Sequence, residues 1–261
     1  MIKAKKSLGQ NFLVDENILE KIINTTVIKG KNILEIGPGT GNLTSFILKK
    51  RPKKVTVVEK DFNLAKSLEI KFKNKLNIFN KDILEMDETK LSNEKLTVFG
   101  NLPYNVSTAI ISKWIINSKN NFWFDSLVLM FQKEVADRII AKFNTPNYSR
   151  LSILVNWKLN VIKICNIKPE SFYPKPKIES SLLFFTPKDK FYNFKDPRNL
   201  EKVTRIFFNH RRKMLKKPFN ILFNKNLKIS NKLKIDLNLR PQNLDFEIYY
   251  QLTREYENLI S

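Results

Sequence analysis

Residues 99–104 read Phe-Gly-Asn-Leu-Pro-Tyr and continue an apolar run at 96–99 that has the look of a buried strand. Asn101-Leu102-Pro103-Tyr104 then falls just past the carboxyl end of a strand, where an open α/β sheet presents reactive groups. The Asn101 side-chain oxygen and the Leu102 carbonyl can accept the hydrogens of an amine, Pro103 stiffens the turn, and Tyr104 offers a stacking face. This set suits one demanding reaction. An adenine amino nitrogen is a poor nucleophile because its lone pair is delocalised into the ring, so an enzyme that alkylates it must hold the amine with acceptors and clamp the ring. A plain strand-end turn would read the same way in isolation, and short motifs recur by chance, so the surrounding elements decide.

Those elements begin upstream with Ile33-Leu34-Glu35-Ile36-Gly37-Pro38-Gly39-Thr40-Gly41. An apolar strand runs into three glycines at alternate positions and then into a helix-period stretch in which Leu43, Phe46 and Ile47 share a face. The spacing is G-x-G-x-G, whereas a dinucleotide site calls for G-x-G-x-x-G to seat a pyrophosphate at the helix start. A nucleoside without phosphates fits better. A second apolar strand at 55–58 ends in Glu59, about twenty residues beyond the glycines, where a carboxylate can accept both ribose hydroxyls. A third strand, at 76–79, leads to Asp82, placed to hydrogen-bond the amino group of a bound adenine. Single acids after strands are usually solvated or cap helices. Successive strand ends with fitting groups point to a nucleoside-cofactor site.

With Lys6-Ser7-Leu8-Gly9-Gln10-Asn11-Phe12-Leu13-Val14-Asp15 ahead of a helix at 17–23, and Phe172-Tyr173-Pro174-Lys175-Pro176-Lys177-Ile178-Glu179-Ser180 after the sheet, the set is complete enough to identify a likeness. In these ordered segments, over nearly its whole length, the chain resembles the ribosomal RNA adenine N6,N6-dimethyltransferases that use S-adenosylmethionine. The resemblance implies an α/β, Rossmann-like doubly wound sheet with a small all-helical carboxyl-terminal domain. It implies that Asn11, Leu13, the glycines Gly37, Gly39 and Gly41, Glu59, Asp82 and Asn101 line the cofactor pocket, that Asn101, Leu102, Pro103 and Tyr104 grip the target base, and that Phe172 closes its other face. It further implies methyl transfer from S-adenosylmethionine, without a metal, to two adjacent adenines in the 3′-terminal hairpin of small-subunit rRNA within an immature 30S subunit. Three alternatives stay open: a large-subunit rRNA adenine dimethyltransferase of the antibiotic-resistance type, a non-catalytic rRNA-binding assembly factor, and a DNA adenine methyltransferase.

Composition points the same way. The 261 residues are enough for one large domain and a small one, and the formal charge is +22 from 47 Lys and Arg against 25 Asp and Glu. Abundant Asn and Ile suggest a biased genome that inflates Lys, yet the remaining excess implies a polyanionic partner, with nucleic acid first because counterion release rewards a broad basic surface. A membrane partner is disfavoured, since there is no run of eighteen apolar residues, no signal peptide and no basic amphipathic helix with a clean apolar face. Cys165 alone excludes an internal disulfide and His210 alone excludes a histidine metal cluster. Cys165 reads as a small core residue in an apolar run and His210 as part of a basic helix. A cytoplasmic location and a monomer are expected.

Strands and helices alternate to about residue 145, with a helix carrying Ala109, Ile110, Trp114 and Ile115, a strand at 126–131 and a helix at 133–143. A helix at 150–157 and strands at 161–167 and 181–185 follow, the last one antiparallel because a Pro-rich link without an obvious helix precedes it. Residues 1–187 read as the cofactor-binding domain and 188–261 as a helical domain that contacts rRNA. In the latter, the cluster from His210 to Lys217 is the candidate phosphate contact and a helix is expected over 239–259. Lys3, Lys5 and Lys6 form a second basic patch, expected to be a mobile arm.

Overall fold

The computed structural model describes Lys5 and residues 9–118 and 121–260. Lys3, Lys6, Ser7 and Leu8 lie outside the described residues. The chain forms two compact units. The first draws on residues up to Lys113 and on Ser118–Ala136 and Val161–Pro187; the second on Trp114–Asn117, Asp137–Asn160 and the chain from Lys188 onward. The segment at 137–160 therefore clusters with the carboxyl-terminal helices.

In chain order the first elements are β1 (Phe12–Leu13), α1 (Glu16–Ile23), β2 (Asn32–Ile36), α2 (Asn42–Lys49), β3 (Lys54–Val58), α3 (Phe62–Phe72), β4 (Asn77–Phe79), β5 (Leu96–Asn101), α4 (Ser107–Asn117) and β6 (Phe124–Gln132). Next come α5 (Lys133–Ile139), α6 (Arg150–Lys158), β7 (Leu159–Ile167), β8 (Phe172–Tyr173) and β9 (Ser180–Pro187). The main sheet has the order β4-β3-β2-β5-β6-β9-β7. Strands β2 to β6 pair in parallel and β9 runs antiparallel to β6, as the Pro-rich link predicts. Every residue of β2 is buried, and Val98, Phe99, Leu127 and Leu129 are fully enclosed. That is the continuous apolar reading of a parallel sheet covered on both faces.

The order reverses at β2, whose neighbours are β3 on one side and β5 on the other. In doubly wound sheets the crevice beyond the carboxyl ends at such a reversal is where ligands bind. The register aligns the ends: Ile36 pairs with Val58 and Gly100, and Val58 with Phe79. The glycine turn, Glu59, the loop bearing Asp82 and the Asn101 tetrapeptide therefore leave the sheet at one level.

A feature without sequence signal is a second, two-stranded sheet in which β1 pairs antiparallel with β8. Pairs of residues carry no readable periodicity. Its base is tied by the amides of Val14 and Asp15, which donate to the Ser171 carbonyl at 2.9 and 3.4 Å, and by Ser171 Oγ, which donates to Asp15 Oδ2 at 2.8 Å. Asp15 also caps α1, its Oδ1 accepting from the amides of Asn17 and Ile18.

The second unit contains α6 and the helices α7 (Arg198–Phe208), α8 (Lys216–Phe223), α9 (Leu227–Lys232) and α10 (Phe246–Leu259) around Tyr148, Phe207, Phe219, Phe223 and Tyr249. Glu257 is buried there but accepts from the amides of Lys195 and Asp196 and from Asn199 Nδ2, each at 3.0 Å, so its charge is met by donors. Three sequence expectations are corrected. The helix expected to reach residue 143 ends at Ile139. The final helix starts at Phe246 rather than 239, because Pro241 opens a separate 3₁₀ turn and Asp245 caps the helix by accepting from the Ile248 amide at 2.9 Å. His210 sits in a turn after α7, its amide donating to the Phe207 carbonyl at 3.1 Å, and is not helical. Cys165, expected in the core, is partly buried and packs against it.

Candidate active site

One cavity opens over the carboxyl ends of β2 to β5 in the first unit. Asn11, Leu13, Gly37, Gly39, Glu59, Asp82 and the whole of Asn101–Tyr104 line it. Gly41 and Phe172 do not. Gly41 stands behind the turn with φ +76°, where an added Cβ would come within 2.5 Å of the Phe72 ring and 2.8 Å of Leu68. Phe172 is 3% exposed and belongs to the core with Leu13.

The glycine turn is shaped by what approaches it. Gly37, Gly39 and Gly41 all have positive φ, which glycine adopts without steric cost. A Cβ on Gly39 would stand 2.7 Å from the Phe12 ring, so the amino-terminal strand lies directly against the turn. Asn42 Nδ2 fastens that strand from below by donating to the Leu13 carbonyl at 2.8 Å.

Glu59 is buried and fully oriented by the backbone. Its Oε2 accepts from the Gly39 amide at 3.1 Å and its Oε1 from the Asp61 amide at 2.9 Å. Burial raises its pKa and these amide bonds oppose the rise. Each carboxylate oxygen keeps accepting capacity for a ligand hydroxyl. Asp82 is held by Lys60 Nζ at 2.7 Å and by the Leu84 amide at 2.9 Å, and its bond to Lys60 lowers its pKa, so it is ionised at neutral pH.

Asn101 Nδ2 donates to the Asn11 carbonyl at 2.8 Å. That bond fixes which end of the amide is which and leaves Oδ1 as the acceptor. Leu102 is buried, and Tyr104 Oη shares a 2.6 Å hydrogen bond with Ser180 Oγ. Burial raises the Tyr104 pKa, so the phenol stays protonated and is no base.

Sequence reading missed three contributors. Glu35, inside β2, also faces the cavity; its Oε2 accepts from Thr44 Oγ1 at 2.7 Å, and burial raises its pKa to about 7. An acid embedded in an apolar strand was legible as an anomaly. Lys113 in α4 donates to the Ile83 carbonyl and to Glu88 Oε1, both at 2.8 Å, and so holds the loop that carries Asp82. Lys5, read only as part of a basic arm, pairs with Asp61 Oδ2 at 2.9 Å, and Gln10 Nε2 donates to the same oxygen at 3.1 Å. No sequence pattern announces either of these long-range contacts.

The family model for ribosomal RNA adenine dimethylase matches residues 1–258. The chain belongs to that family. Among curated relatives, a ribosomal RNA small subunit methyltransferase A from Pelagibacter ubique is 64% identical over 99% of this chain and 98% of its own length. One from Mesomycoplasma hyopneumoniae is 43% identical over 98% and 97%. Among solved structures, a dimethyladenosine transferase from Plasmodium falciparum superposes with a TM-score of 0.80 at 30% identity, covering 95% of this chain and 98% of that one. The 23S rRNA methyltransferase ErmE shares the fold, with a TM-score of 0.69 at 21% identity over 94% and 98%.

As a member of the ribosomal RNA adenine dimethylase family, the chain is an S-adenosylmethionine-dependent rRNA adenine dimethyltransferase built on a Rossmann-like sheet with helical carboxyl-terminal structure. The residues present fit that donor. The cradle is closed to any side chain at Gly39, the Glu59 and Asp82 carboxylates in its wall can accept from hydroxyls and amines, and Leu13, Ile83 and Leu102 supply apolar wall. Among the described residues no group of three or more His, Cys, Asp or Glu is arranged to hold a metal ion, and no helix is long and apolar enough to cross a membrane.

Proposed function

We propose that this dimethyltransferase modifies small-subunit rRNA, adding two methyl groups to N6 of each of two adjacent adenines in the 3′-terminal hairpin of an immature 30S subunit. The curated relatives named for the small subunit, one of them 64% identical, favour this target over large-subunit rRNA. One structural observation carries the chemistry: the Asn101–Tyr104 turn and the Gly37–Glu59 wall share one cavity.

S-adenosylmethionine, when bound, supplies a methyl group made electrophilic by its sulfonium. In this reading Glu59 takes the ribose hydroxyls, Asp82 the adenine amino group, and Gly37, Gly39, Asn11 and Leu13 shape the pocket around them. Gly41 supports the turn from behind. The target adenine leaves its stack, and its amine donates to Asn101 Oδ1 and the Leu102 carbonyl while Tyr104 lies against the ring and Pro103 keeps the turn rigid. Holding both amine hydrogens in acceptors turns the nitrogen lone pair toward the methyl donor. The alkylated amine is strongly acidic and releases its proton to water, so positioning matters more than a strong base. Phe172, buried with Leu13 in the core and absent from the cavity wall, supports the β1–β8 ribbon in this reading.

In the second unit, Arg212, Lys213, Lys216 and Lys217 are exposed, while the Arg211 guanidinium is bonded to the Pro146 carbonyl. These cations are the proposed phosphate contacts. The protein acts as a cytoplasmic monomer in this reading. Radiolabelled methyl transfer into small and large subunits that lack the modification, offered separately, tests the target. Label in the small subunit alone is expected; label confined to the large subunit would overturn it.

A further inference from the structure

The β1–β8 ribbon has two faces with different fates. Directly opposed residues of an antiparallel pair share a face, and successive residues alternate. Leu13 pairs with Phe172 and Phe12 with Tyr173. Leu13 and Phe172 are buried in the core. On the other face the Phe12 ring lies against Gly39, in the cavity wall, while its partner Tyr173 is 67% exposed.

An exposed tyrosine by itself says little. This one has a stiff mount and a basic setting. The ribbon is clamped by the two amide bonds to the Ser171 carbonyl and by the Ser171–Asp15 bond, with Asp15 anchored in turn as the cap of α1. Lys168 and Lys177, both exposed, flank the aromatic in sequence, while Lys175 is ion-paired with Glu170. A rigidly held aromatic face among cations is how proteins take hold of unpaired bases, because every base has a π-face and a neighbouring phosphate. Tyr173 is not part of the cavity wall, so the base it meets lies outside the cavity.

We infer that Tyr173 is a stacking platform for an unpaired RNA base next to the adenine held in the cavity. The inference rests on the reading of the chain as an rRNA adenine dimethyltransferase whose target base is extruded. The platform orders the flanking nucleotide on the rim and so reduces the freedom the target must lose on entering.

The test compares Tyr173→Ala and Tyr173→Phe in the full chain, with small subunits lacking the modification as substrate. KM for the subunit and kcat come from methyl transfer, and the S-adenosylmethionine dissociation constant from calorimetry. Tyr173→Ala is expected to raise the subunit KM about tenfold, the lower range of a lost base–aromatic stack, with kcat and cofactor affinity unchanged. Tyr173→Phe keeps the ring and should stay within about twofold of the parent. An unchanged KM in Tyr173→Ala overturns the platform, as does a Phe variant as impaired as the Ala variant, or a loss of cofactor affinity that accounts for the defect. A parent chain that transfers no methyl to rRNA overturns the underlying function and the platform with it.

Discussion

In the first unit, three polar groups that face the cavity are tied to the backbone: Glu59 by the Gly39 and Asp61 amides, Asn101 by the Asn11 carbonyl, Asp82 by the Leu84 amide. In the second unit, Arg212, Lys213, Lys216 and Lys217 stand in solvent on a turn and a helix start. Both regions meet nucleotides in the proposed function, yet only one is built to tight tolerances. Methyl transfer to a delocalised amine needs near-attack geometry, and a misplacement of about 1 Å costs about a hundredfold. Phosphate neutralisation is additive and long-ranged, so mobile side chains serve it as well as fixed ones. Substitution should therefore be punished sharply in one region and gradually in the other.

The largest effect is expected at Asn101. Asn101→Ala removes an acceptor aimed at the reacting amine and should lower kcat by about a hundredfold or more, with cofactor affinity largely kept. Stopped transfer assays beside a calorimetric isotherm would show it, and full activity would refute the role. Glu59→Ala comes next: loss of charge-assisted bonds to ribose should weaken S-adenosylmethionine binding by about tenfold to a hundredfold. An unchanged isotherm would remove the ribose assignment.

Glu35 sharpens the comparison through pH. Its pKa in the folded chain is raised from 4.5 to about 7. The folded state thus holds a proton that the unfolded state has released between those values, so this group makes stability fall as pH rises through that window. Denaturant melts of the chain at about pH 5 and about pH 8, with Glu35→Gln as control, should show the slope and its removal. A parent slope that survives unaltered in Glu35→Gln would assign the pH dependence elsewhere. The smallest effect belongs to the helical unit, where each of Arg212, Lys213, Lys216 or Lys217 changed to Ala should shallow the log–log salt dependence of RNA binding by about 0.7 to 0.9 if it contacts one phosphate. Slopes indifferent to all four would mean that this surface does not dock RNA.

Much of the cavity was legible because parallel β-sheet chemistry is local. Apolar runs at 33–36, 55–58 and 96–99 end in residues that cannot help meeting at the sheet's carboxyl edge, and Gly37 and Gly39 mark a turn of positive φ whose second glycine leaves no room for a side chain. What stayed hidden depends on contacts distant in sequence. The pairing of Phe12 and Leu13 with Tyr173 and Phe172 spans most of the chain and uses strands too short for a pattern. Alternation across that pairing buried Phe172 and exposed Tyr173, a choice that the sequence Phe-Tyr-Pro does not reveal. The late start of the final helix was readable in principle, since Pro241 and the capping Asp245 outweigh the apolar spacing that suggested an earlier one.

The central claim is that the turn at 101–104 holds an adenine amine against the methyl donor. A crystal structure of the chain with adenosine and a non-reactive S-adenosylmethionine analogue tests it most directly. The prediction is an adenosine amine about 3 Å from both Asn101 Oδ1 and the Leu102 carbonyl, with the analogue's ribose on Glu59. An adenosine bound elsewhere, or an analogue seated away from Glu59 and the glycine turn, would contradict it.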